Sequence, residues 1–107
     1  MLETPNLNYI KEIAGGNEEF EKKFLTIIQH EFPKEKEDYL KLLNGKELEE
    51  AAKVVHKIKH KLGILSMNAS YKLAIRYEED LKYGDEKLGK DFLKVLETVE
   101  DFILKIA

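Results

Sequence analysis

Between positions 48 and 65 the apolar residues Leu48, Ala51, Ala52, Val55, Ile58, Leu62 and Leu65 recur every three or four positions. That spacing marks one buried face of a helix, and it does not suit a strand, whose faces alternate residue by residue. The same period runs through the rest of the chain, and no segment alternates with a period of two. Such patterning confines the chain to helix packed on helix. At about 100° per residue, His56 falls beside the apolar face, on a stripe shared with Ala52, Lys59, His60, Gly63 and Met67. A mid-helix glycine costs about 1 kcal/mol relative to alanine, so Gly63 points to something approaching the helix closely there.

Thr4-Pro5 predicts a helix start, with Thr4 as N-cap and Pro5 at the first helical position. Leu7, Ile10 and Ile13 then give a short helix stopping at Gly15-Gly16. Asn17 is the next N-cap, with Glu18 and Glu19 complementing the dipole. Phe20, Phe24, Ile27, Ile28 and Phe32 form the stripe of a second helix, continued by Tyr39, Leu42 and Leu43. Pro33 interrupts it, and the resumed spacing predicts one kinked helix rather than two. Asn44-Gly45 ends that helix and opens the central one, roughly residues 46–65. The small polar residues of Ser66–Ser70 predict a tight connection, with Asn68 as cap, before a helix over about 69–82. Its inward residues are Leu73, Ala74, Tyr77 and Leu81. After a turn at Tyr83-Gly84-Asp85, the last helix carries Leu88, Phe92, Val95, Leu96, Val99, Phe102, Ile103 and Ile106. The expected architecture is all-α: an antiparallel four-helix bundle with a short N-terminal lead-in helix, residues 1–107 forming a single domain.

Composition narrows the function. With 43% apolar and 36% charged residues the chain reads as a soluble folded domain, and the lack of cysteine excludes disulfides, thiolate metal sites and cysteine nucleophiles. A net charge of −3 and a single arginine, Arg76, argue against nucleic-acid binding. No apolar run reaches the length of a membrane span, and MLETPNLNYIKEIAGG lacks a signal-peptide pattern, so the expected compartment is the cytoplasm. Positive charge is local. Lys53, Lys57, Lys59 and Lys61 surround His56, with no acid between Glu50 and Glu78.

Three readings of His56 follow from its surroundings. A phosphoryl-accepting histidine needs a neutral, exposed imidazole nitrogen, positive charge for the transferred oxygens, and room for a partner. Nearby lysines disfavour the protonated imidazole, and Lys59 stands one turn along the same stripe. Alternatively, His56 and His60 at i and i+4 have the spacing of a shared metal site. Lys57, Ile58 and Lys59 lie between them and no acid occupies the face, so the expectation is no metal. The third reading is an ordinary surface residue, which suits the isolated His30 better.

The run VVHKIKHKLGILSM resembles the signature of histidine-containing phosphotransfer (HPt) domains. That pattern has a histidine, a lysine three residues on, a small residue at four, often another at seven, and commonly glycine at ten. His56, Lys59 and Gly63 occupy the first, second and fourth of these positions. GGNEEFEKKFL is similar to the family's opening segment before its second helix, and YKLAIRYEEDLKYGD to the helix after the histidine helix. The sequence departs from the pattern at His60, where a small residue is usual, and at Ser66, where glycine is common. The resemblance implies a phosphorelay intermediate, not an enzyme, with His56 as phosphoacceptor and Lys59 as electrostatic stabiliser. Ala52, Lys57, His60, Gly63 and Met67 would bind the partner. It further implies response-regulator receiver domains and a hybrid sensor histidine kinase as partners, a monomer, and no cofactor of its own, the divalent metal ion coming with the receiver. The competing expectation is a helical-bundle interaction module in which His56 is incidental.

Overall fold

The computed structural model describes residues 3–106, and all regular structure among them is helical. Five helices follow in order: α1 (Asn8–Ala14), α2 (Glu18–Asn44), α3 (Leu48–Ile64), α4 (Asn68–Lys82) and α5 (Gly89–Ile106). α2 packs on α3 and α5, α4 packs on α3 and α5, and α1 leans on α2. The seam between them is the apolar stripe of each helix. Ile28, Phe32 and Tyr39 from α2 are buried, with Val55, Ile58 and Leu62 from α3. Ala74, Tyr77 and Leu81 from α4 join Phe92, Val95, Leu96 and Val99 from α5. Phe24 and Phe102 are only partly buried and pack against the rim of this core.

The Asn17 side chain accepts a hydrogen bond from the Phe20 N–H at 3.1 Å, fixing the start of α2 as its cap residue should. Pro33 lies inside α2 without splitting it. The proline has no N–H to give the carbonyl four residues earlier, but Phe32 on one side and Tyr39 beyond it are both buried, so packing holds the helix through the gap.

The chain start differs from expectation. α1 begins at Asn8, not at Thr4-Pro5, and the Asn6 side chain accepts from the Asn8 N–H at 3.0 Å. The residues before it form a strap tied to the corner between α3 and α4. Asn6 N–H donates to the Leu65 carbonyl at 3.0 Å. The Glu3 carboxylate accepts from the backbone N–H groups of Ala69 at 2.8 Å and Ser70 at 2.7 Å. Nor does Asn68 cap α4. The N-cap position is Met67, which is fully buried and makes no side-chain cap bond, so Glu3 satisfies the orphan donors from outside. Among the described residues no helix is long and apolar enough to cross a membrane.

Candidate functional site

α3 carries the site because its buried face fixes its rotation. With Val55, Ile58 and Leu62 in the core, the adjoining stripe must lie along the edge that meets α4. His56 sits on that edge with its side chain half exposed. Its Nδ1 lies 3.2 Å from both carboxylate oxygens of Glu78, which reaches across from α4. Lys59 Nζ is 3.1 Å from Glu78 Oε1 and 3.2 Å from His56 Nδ1. On the other side of the ring, His60 Nε2 stands 3.2 Å from His56 Nε2, the two imidazoles meeting edge to face.

These contacts assign the tautomer. A lone pair on Nδ1 would face two anionic oxygens, whereas an N–H there donates to them. The Lys59 ammonium is satisfied by the same carboxylate, a stronger acceptor than a neutral imidazole. His56 therefore carries its proton on Nδ1, and Nε2 keeps the lone pair. The His60 Nε2–H donates to that lone pair.

Glu78 is the residue that holds this arrangement. Burial pushes its carboxyl toward protonation, but the hydrogen bonds from Lys59 and His56, with the Lys59 charge, outweigh burial and hold it below the ordinary carboxylate value. Nothing local in the sequence marks Glu78. Its one distinction is being the first acid after Glu50, and only the docking of α4 on α3 brings it to His56.

The lysine cluster expected around His56 is largely dispersed. Lys53 pairs with Glu50 at 2.9 Å, and Lys59 pairs with Glu78. Lys61 turns to α2, where Glu31 and Glu35 both take it at 2.9 Å. Burial works against the Lys61 charge, but the two carboxylates outweigh it and raise its pKa. Lys57 stays exposed. A shallow hollow between α3 and α4 is lined by Ala52, Lys53, His56, Lys57, Glu78 and Lys82.

Of the residues expected to bind a partner, Lys57 and His60 are exposed on the α3 edge. Met67 is not on that surface. It is fully buried, because its side chain fills the core where the chain turns from α3 to α4. Ala52 is also buried and forms only the floor of the hollow. The close approach expected at Gly63 is internal: a Cβ there would stand 3.4 Å from the Tyr71 ring, so α4 rather than a partner occupies the space. Ser66 takes a left-handed backbone conformation, φ 65°, which explains why glycine would suit that position. His30 lies away from this group, in an apolar groove with Gln29, Pro33, Glu100, Ile103 and Leu104.

Comparison with known proteins adds no relative: no family model matches the chain, and no curated protein or solved structure matches it.

Proposed function

We propose that this chain is a histidine phosphotransfer module, an antiparallel four-helix bundle of α2 to α5 with α1 as lead-in, that relays a phosphoryl group between receiver-domain aspartates. The closed ring of contacts from α2 through α3, α4 and α5 supports the bundle, as do the three-residue connections 45–47 and 65–67. One observation carries the function. His56 is half exposed, has its Nδ1 proton held by Glu78, and keeps on Nε2 a lone pair whose one partner is the exposed His60 ring, which must turn aside before attack.

In the proposed step, the Nε2 lone pair attacks the phosphorus of a receiver's aspartyl phosphate. The N–P bond forms as the P–O bond to the aspartate breaks, and the aspartate leaves as a carboxylate. The Nδ1 proton stays in place against Glu78, which offsets the positive charge the ring acquires. Lys59 rests against Glu78 on the Nδ1 side of the ring, so to balance the phosphoryl oxygens on Nε2 its ammonium must leave that carboxylate and swing round the ring edge. The return transfer is the reverse of these events. The module has no kinase activity of its own and works in the cytoplasm as a monomer. It takes its phosphoryl group from a hybrid sensor kinase, whose receiver, like the acceptor regulator, brings the divalent ion. Lys57 and His60 on the α3 edge are the docking contacts, and the dispersal of the lysine cluster makes the interface depend on shape more than on charge.

The test is incubation with a receiver domain charged by acetyl phosphate, read by intact mass. Wild type and His60→Gln gain one acid-labile, alkali-stable phosphoryl group, and His56→Gln gains none while its helical spectrum is unchanged. Labelling that survives His56→Gln and disappears in His60→Gln would move the acceptor to His60. A chain that is never labelled is an interaction module.

A further inference from the structure

We infer that His56 and His60 form a two-imidazole chelate for a zinc-like divalent cation, and that the ion occupies the same nitrogen the phosphoryl group would use. The second half of this inference rests on the phosphotransfer reading; the first does not. His56 Nε2 and His60 Nε2 stand 3.2 Å apart on successive turns of α3. Two imidazole nitrogens on a tetrahedral Zn2+, each about 2.0–2.1 Å from the ion, are separated by about 3.3 Å. The pair therefore already has the bite of the ion, and binding requires both rings to turn from facing each other to facing one common point.

The surroundings complete the case. A ligating histidine is best held when its other ring nitrogen donates to a carboxylate, which fixes the ring and raises its basicity. Glu78 does this for His56 Nδ1 at 3.2 Å. The lysines that disfavour a cation in the sequence are largely matched: Lys59 is paired with Glu78 and Lys53 with Glu50. In the ion-free state one proton lies between the two Nε2 atoms, donated by His60. Zinc takes its place as neutral His60 changes tautomer, its single ring proton passing through solvent from Nε2 to Nδ1. Among the described residues no third side chain of ligating type joins the pair. Water completes the shell, which makes the site open and exchangeable rather than structural.

With the Nε2 lone pair of His56 bound to the ion, no lone pair remains to attack phosphorus. Ion and phosphoryl group are mutually exclusive on His56. Zinc would hold the module silent without altering its fold.

The experiment titrates ZnCl2 into the full unphosphorylated chain by calorimetry in a non-chelating buffer. Wild type binds one equivalent. His60→Gln and His56→Gln each lose on the order of tenfold or more in affinity, and Glu78→Gln about tenfold through the lost carboxylate support. His30→Gln binds as wild type does. Equal affinity in wild type and His60→Gln overturns the chelate. Labelling with phosphoramidate, which needs neither receiver nor metal, is then run with and without saturating zinc. The expected result is at least a tenfold slower label on His56 in wild type, and a ratio near one in His60→Gln. Zinc binding without suppression of a label on His56 overturns the shared-nitrogen claim. Zinc binding in a chain whose His56 takes no label leaves the chelate standing and defeats the phosphotransfer reading instead.

Discussion

Lys59 Nζ stands 3.1 Å from Glu78 Oε1, and the two side chains are only 12% and 14% exposed. An ammonium so placed is anchored to a carboxylate that also holds the His56 imidazole. Three groups from two helices thus act as one unit, and disturbing the acid disturbs both partners.

Glu78→Gln keeps the size of the side chain and removes its charge. The Nδ1–H tautomer of His56 loses its main support, and Lys59 loses its anchor. Transfer from a charged receiver is expected to slow about 10- to 100-fold, the scale of a misoriented reacting group. The 15N shifts of the imidazole separate this from a general loosening of structure: the population with the proton on Nδ1 falls in the variant. An unchanged tautomer population would remove Glu78 from its positioning role.

The helices were legible in the sequence because their determinants are local. Asn17 caps α2 through a residue three positions away, and the stripe Val55, Ile58, Leu62 is buried as its spacing predicts. Leu62→Ala is therefore expected to cost about 2–5 kcal/mol in denaturant unfolding, and a cost below about 0.5 kcal/mol would place the seam elsewhere. What the sequence hides is where charged side chains find partners in other helices. Lys61 reads as one more member of a basic patch, yet it reaches Glu31 and Glu35 on α2. Glu78 enters the sequence reading only as the acid that ends the stretch after Glu50, yet it joins His56 and Lys59 across the α3–α4 seam. Thr4-Pro5 is a sound local start signal, overridden because Glu3 and Asn6 are engaged by the α3–α4 corner.

Tyr39 and Tyr77 share a hydrogen bond between their hydroxyls at 2.5 Å in the centre of the core. Burial pushes both phenols above their ordinary pKa, so they remain neutral across the accessible range. Removing one hydroxyl leaves the other buried and unpaired. Tyr39→Phe and Tyr77→Phe should each cost about 1–3 kcal/mol, while the double variant costs less than the sum of the singles. Strict additivity in a double-mutant cycle would show that the bond does not couple the two helices.

Ser66 holds a left-handed backbone, φ 65°, at the corner between α3 and α4. That conformation costs a residue with a Cβ about 1–2 kcal/mol relative to glycine, offset in part by the Ser66 Oγ, which accepts from the Tyr9 N–H at 3.4 Å. Ser66→Gly is expected to raise stability by a few tenths to about 1 kcal/mol. Loss of stability would mean that the bond to α1 outweighs the strain.

Glu3 caps α4 from the far end of the chain, and its protonation makes the cap dependent on pH. Burial raises its carboxyl pKa, but the N–H groups of Ala69 and Ser70 and the Ser70 side chain outweigh it, so the folded value lies below the ordinary one. The sign follows. A depressed carboxyl favours the folded state when charged, so its contribution is complete above the ordinary carboxylate range and is lost as pH falls through the folded value. At pH 7 Glu3→Gln should cost about 0.5–2 kcal/mol, the scale of a lost N-cap. That difference from wild type should shrink steadily on acidification, because protonated Glu3 and glutamine are alike in charge. Urea unfolding of both proteins from pH 7 down through the carboxylate range provides the measurement. A gap that stays constant with pH would mean that Glu3 stabilises the corner by packing rather than by charge at the helix end.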